Sequence, residues 1–191
     1  MSEAGTAPEA GFDAGLDRSL RREGLRGRVT VSLEGATLHI RGSESGALAI
    51  PAGLVDRLRF GQVPTRAGAR VHRALIWRKG LEKPLYIATL YPRYGPVMRQ
   101  FAGLVASGGH GKVEVGPSPL QLHLVYPVIL LCFAGMAAGF VYEALRGGTS
   151  WYWAGAAAMA VVTFFGVRMI RAEQPRPIGD LTELDAILPR G

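Results

Sequence analysis

Apolar and polar side chains alternate from position 28 onward. Val29, Val31 and Leu33 alternate with Arg28, Thr30 and Ser32, and after Glu34-Gly35 Leu38 and Ile40 alternate with Thr37, His39 and Arg41. A period of two puts every second side chain on one face, so this stretch predicts a β-hairpin with one buried side. Residues 42–46 form a polar turn, and 47–50 a short third strand stopped by Pro51. In 54–60, Leu58 and Phe60 oppose Arg57 and Arg59. Residues 64–70 read as a basic loop. Residues 71–78 and 84–91 read as a second hairpin, because β-branched and aromatic residues favour strand. The period then changes. Tyr94, Val97, Met98, Phe101, Leu104 and Val105 fall on one helical stripe, with Pro92 and Pro96 at its start and Gly108-Gly109 at its end. The fold class is therefore α+β: six strands in a curved antiparallel sheet, plugged by an amphipathic helix.

The pattern changes again after Pro117-Ser118-Pro119, a stiff linker. Residues 124–142 hold 19 positions without a charge. As a helix they reach about 28 Å, close to the ~30 Å hydrocarbon core of a bilayer. Tyr126 and Tyr142 lie near the ends, where amphipathic rings favour the headgroup level. A second run, 151–167, starts with Trp151, Tyr152 and Trp153 and is followed by Arg168 and Arg171. Neither run has the polar face of a helix on a soluble core. They predict a transmembrane hairpin over 117–171, with helices of about 121–144 and 151–170. Gly135 and Gly139 on the first helix, with Ala154 and Ala158 on the second, are candidate positions for packing the two helices together, or for dimerisation, because small residues let backbones approach.

Charge sharpens the division. Residues 1–118 carry 17 Lys and Arg against 10 Asp and Glu, and the remaining 73 carry five against five. The whole net charge of +7 thus sits ahead of the apolar runs. Arg146 alone marks the turn, whereas Arg171, Arg176 and Arg190 follow the second run. By the positive-inside rule both termini are expected in the cytoplasm, as in a multi-pass protein of the inner membrane. Residues 1–24 read as disordered or weakly structured and lack the apolar core of a cleaved leader. Cys132 is the only cysteine, so no intramolecular disulfide or multi-cysteine zinc site is available.

The order of elements resembles a pleckstrin-homology-like (PH-like) domain of bacterial membrane proteins. The features that carry it are the hairpin RVTVSLEGATLHIRG (28–42), the strand-turn segment IPAGLVDRLRFG (50–61), the hairpin ALIWRKGLEKPLYIATLY (74–91) and the helix PVMRQFAGLVA (96–106). The resemblance covers 25–107 within a soluble domain of 25–116. The family has seven strands; the segment near Leu20–Leu25 is the candidate for the one that alternation does not supply. The resemblance implies a binding and scaffolding module; some members bind phosphoinositides.

Catalytic motifs are wanting. His39, His72, His110 and His123 lack metal-site spacing. GGHGK (108–112) lacks the first Gly and the Ser/Thr of a phosphate loop and follows a helix, so it reads as a connector. GSESG (42–46) has Glu44 where a nucleophile elbow needs a hydroxyl. No enzyme activity, metal or cofactor is expected. The candidate contacts for anionic lipid or a partner are Arg57, Arg59, Arg66, Arg70, Arg73, Arg78, Lys79 and Lys83; the alternative is a solvated basic face. Nucleic acid is disfavoured, because there is no aromatic stacking platform and the helix offers only Arg93 and Arg99. In the tail, 172–191, the spacing of Ile178, Leu181, Leu184, Ile187 and Leu188 suggests docking on the soluble domain or on a partner. The expected partners are the bilayer and a protein or second copy. The function expected is non-catalytic scaffolding, with an accessory subunit of a membrane enzyme or transporter complex as the second reading.

Overall fold

Strand register explains the alternation. In the computed structural model β2 (Val29–Glu34) pairs antiparallel with β3 (Thr37–Gly42), and β3 with β4 (Ala47–Pro51). Val31 lies opposite Ile40, and Leu38 opposite Ile50. All four are buried on one face. The structure describes residues 11–64, 69–91, 93–109, 111–117, 121–172 and 174–189. It divides into two units: residues up to Val115 together with those from Arg176 on, and Gly116–Pro175.

The first unit holds two sheets. One runs β1-β2-β3-β4, where β1 is Gly11–Ala14 and pairs Phe12 with Val31. The other contains β5 (Val55–Pro64), β6 (Arg70–Arg78), β7 (Leu85–Thr89), β8 (Lys112–Val115) and β9 (Arg176–Pro177), in the order β7-β6-β5-β8-β9. A backbone bond from Gly15 N–H to the Ala88 carbonyl (2.8 Å) joins β1 to β7. The Thr89 hydroxyl also donates to the Asp13 carbonyl (2.7 Å). β8 runs parallel to β5, which requires a crossover, and α2 (Tyr94–Ser107) lies within that connection. Val97, Met98, Phe101 and Val105 of α2 are buried with Leu58, Phe60 and Ile76 of the sheet. Each such side chain contributes about 1.5–3 kcal/mol by leaving water. The helical stripe is thus where the alternation left an open core. Pro92, assigned above to the helix start, lies outside the described residues, as do Ser118, Pro119 and His110.

One boundary is corrected. Residues 11–24 are folded. Among the described residues seven strands precede α2, and the one that alternation does not supply is β1, not the segment near Leu20–Leu25. That segment contains α1 (Arg18–Arg22), which Asp17 caps by accepting from Ser19 N–H at 3.0 Å. Phe12, Leu20 and Leu25 are buried, but they are spaced too widely to give a period. The tail takes the first of the two courses expected of it. It docks: β9 pairs with β8, a 3-10 helix spans Leu181–Ala186, and Leu184 and Leu188 enter the core.

The second unit is a helical hairpin. A π-helical turn, Gln121–Val125, leads into α3 (Tyr126–Leu145), and α4 spans Trp151–Ala172. Both helices are long and apolar enough to cross a membrane, and almost none of their apolar surface is buried. Their seam follows a heptad. Tyr126, Leu130, Phe133, Ala137, Phe140 and Ala144 are among the more covered positions of α3, and Tyr152, Ala156, Met159, Thr163, Gly166 and Ile170 among those of α4. Gly155 receives the Phe140 ring and Gly166 the Leu130 side chain, so the helices run antiparallel. The packing positions expected above are therefore corrected. Nothing lies within 4 Å of a Cβ placed at Gly135 or Gly139, and Ala154 and Ala158 are exposed. Large side chains of α3 fill gaps at the glycines of α4; the glycines of α3 lie outside this seam.

Candidate functional site

Among the described residues, the basic positions expected to share a site do not form one surface. Alternation along β5 turns Arg57 and Arg59 away from the core side taken by Leu58 and Phe60. The parallel register of β5 and β8 sets Arg59 opposite Glu114. The Arg59 guanidinium donates to one Glu114 oxygen from Nε (3.0 Å) and Nη2 (2.9 Å). Arg57 Nε lies 3.9 Å from the other oxygen. Both guanidinium groups stand over the Trp77 ring, 5.4 Å and 5.1 Å from its centroid. Charge-assisted hydrogen bonds and cation–π contact stabilise this cluster internally. Arg59 is only 6% exposed, so its role is to hold β8 to β5 rather than to reach a ligand.

Arg70 lies at the far end of β6 and donates to Gln62 Oε1 at 3.2 Å. Eight residue steps along the strand separate it from Arg78, about 26 Å at 3.3 Å per residue. Arg73 is buried, and Arg66 lies outside the described residues. Arg78 pairs with Glu23, while the Lys79 ammonium donates to the Gly53 carbonyl at 2.9 Å. Lys83 projects from the turn between β6 and β7.

That turn, together with α1, makes a ligand-accessible basic site in the first unit. Ser19 accepts from Tyr86 N–H at 2.8 Å, Leu20 is buried, and Glu23 binds Arg78, so α1 is fixed against β7 and the turn. Between them lies an open cleft of about 520 Å³, whose lining includes Arg18, Ser19, Arg22, Lys83 and Tyr86. A second hollow of about 280 Å³ adjoins it, lined in part by Arg22, Gly80, Leu81 and Lys83. Arg18, Arg22 and Lys83 are exposed, and Leu81 projects at 49% exposure. Asp17 is engaged in capping and Glu23 in the ion pair, and the exposed Glu82 also lines the second hollow, so Arg18, Arg22 and Lys83 offer a net excess of cations at the rim. Arg18 and Arg22 were missed in the sequence because they lie more than 50 positions before the turn. The only signal was the run RSLRR behind a capping Asp17.

Histidines take structural places. His39 Nε2 lies 3.5 Å from Glu34, which also meets Arg41 at 3.6 Å. His72 stands 5.9 Å from the Tyr94 ring. Burial lowers the His72 pKa below its ordinary 6.5; the Ile187 carbonyl bonded to the ring opposes this, and Arg70 adds to it. Burial likewise raises the Tyr94 hydroxyl well above its usual value. The GSESG segment is the turn expected: Gly42 N–H donates to the Gly46 carbonyl at 2.9 Å, and Ser43 Oγ accepts from Arg28 N–H at 2.9 Å. Among the described residues no group of three His, Cys, Asp or Glu side chains comes together as a metal site. No family model, curated protein or solved structure matches the chain.

Proposed function

We propose that this chain is an integral membrane protein with a non-catalytic, PH-like binding and scaffold module, held on the cytoplasmic face of the inner membrane by the α3–α4 hairpin. One observation carries the reading. The segments before and after the hairpin fold into the same unit, with Leu184 and Leu188 in a core made by residues 11–115. Chain that leaves a unit, crosses a bilayer and returns must cross an even number of times. Two helices apolar on all sides supply that number, since a helix with no polar face needs an apolar surround. The Lys and Arg bias puts the basic unit on the cytoplasmic side. Seven strands followed by a helix suit the PH-like reading. The cleft between α1 and the β6–β7 turn is the binding site of this module, and its ligand is anionic: the headgroups of an acidic membrane surface, worth about 1 kcal/mol per basic side chain near the surface.

The test uses the whole chain in neutral nanodiscs, mixed with vesicles of neutral or anionic lipid. Anionic vesicles should be recruited at low salt and released at high salt, and R18E/R22E/K83E should abolish recruitment. Equal recruitment by wild type and variant would remove the cleft from this role. Recovery of the chain from cells in buffer without detergent would remove the membrane reading itself.

A further inference from the structure

The construction of the tail differs from that of the rest of the first unit. β9 is two residues long, and the 3-10 helix that follows spans six, longer than such helices usually run. The segment is held at a few separate points. Ile178 N–H donates to the Val113 carbonyl at 2.9 Å. Leu184 and Leu188 are buried. The Ile187 carbonyl accepts from the Gln62 side chain. Gly95, at the start of α2, leaves room for the Pro189 carbonyl to lie against its Cα, where any Cβ would collide with it. The ion pairs at the rim, Arg99–Asp185 (2.6 Å) and Arg176–Glu183 (3.5 Å), join partly exposed side chains. Pairs of that kind add little stability. Between the first half of the tail and α2, packing is incomplete: a hollow of about 270 Å³ is lined in part by Ala106, Val113, Ile178 and Leu181.

The tail is also joined to α4 by a short tether. Only residues 173–175 separate the end of α4 from the start of β9, four Cα steps and about 14 Å of fully extended chain. A shift of α4 by one helical turn, 5.4 Å, is more than a third of that reach.

We propose that residues 176–189 are a latch that couples α4 to the folded unit: displacement of α4 withdraws Leu184 and Leu188 from beneath α2 and opens the core along α2 and β8. The buried leucines make release consequential, and the sparse points of attachment and short tether make it attainable without unfolding the strands. The trigger rests on the membrane reading, since a hairpin held in lipid is displaced by the lipid. Hydrophobic mismatch is the simplest such displacement, because a helix pair shifts or tilts when bilayer thickness changes.

The experiment is hydrogen exchange, read by mass spectrometry, on the full chain in nanodiscs of short-chain and long-chain neutral lipid. Amides of 176–189 should exchange at least tenfold faster in one thickness than in the other, with amides of β2 and β3 unchanged. Inserting Gly-Ser-Gly-Ser after Gln174 should remove the difference between lipids by adding slack. Gly95→Ala should speed tail exchange in both lipids by unseating Pro189. Tail amides that exchange only as slowly as those of β2 and β3 in every lipid would overturn the latch. So would a lipid dependence that survives the insertion undiminished. Failure of the chain to remain in nanodiscs would overturn the membrane reading instead, and is scored separately by co-elution with the lipid.

Discussion

α2 and α4 are both helices rich in apolar residues, and they are built on opposite terms. α2 buries seven of its 14 residues on one stripe, with Phe101 and Met98 fully covered. α4 buries only Ala156 in 22 residues and leaves Phe164, Phe165 and Met169 at 60% exposure or more. The stripe of α2 finds its solvent in the protein. The uniform surface of α3 and α4 has to find it elsewhere, and only a seam of about one residue in three or four is used between them. Apolar content therefore says little about a helix's surroundings; the distribution around its axis says much more.

The comparison can be broken most forcefully at Phe101. Phe101→Ala removes a fully buried ring and should destabilise the folded unit by about 3–5 kcal/mol in denaturant titration. Phe164→Ala, at 63% exposure, should leave that transition unmoved. A similar loss from both would mean that the hairpin shares the core. A sharper probe is Leu131→Arg, near the centre of the apolar span Gln121–Leu145, where the side chain is 71% exposed. In water that change is close to neutral. In lipid it costs about 2.5–3.5 kcal/mol on insertion scales, so the fraction of chain in membranes should fall. Asp17→Ala tests how the short α1 is held, and losing its cap should cost about 1 kcal/mol, seen as faster exchange in residues 18–22.

The smallest effect is electrostatic. His72 has a folded pKa below its ordinary 6.5 because burial disfavours the cation. The unfolded chain therefore binds the proton first as pH falls. The unit should be most stable above pH 6.5 and lose stability as pH falls from there toward the lower folded value. His72→Gln should flatten this slope, measured as melting temperature against pH; an unchanged slope would assign it to other groups.

Much of the first unit was legible because its strands carry their own period. Val29, Val31, Leu38 and Ile40 announce a hairpin, and Val97 to Val105 announce the helix that covers it. β1 and β8 were not legible: GFDA and KVEV are four residues each and take their meaning from distant partners. The tail showed its leucine spacing but not the groove that receives it. The basic residues show the limit of reading along the chain. Arg57 and Arg59 point at Glu114, 55 positions from Arg59, whereas Lys83 shares a cleft with Arg18 and Arg22. In the hairpin the seam at Phe133, Ala137 and Phe140 was present as a heptad, but the small-residue pair Gly135 and Gly139 drew attention to another face.

Sidedness of the chain is the most direct test of the whole picture. In a Cys132→Ser background, single cysteines replace Ser45 in the folded unit, Thr149 in the turn between α3 and α4, or Thr182 in the tail, and intact cells are treated with a membrane-impermeant maleimide. The expected result is labelling at position 149 alone, with 45 and 182 reacting only after the membrane is opened. Labelling of all three positions in intact cells, or of 45 and 182 on opposite sides, would contradict it.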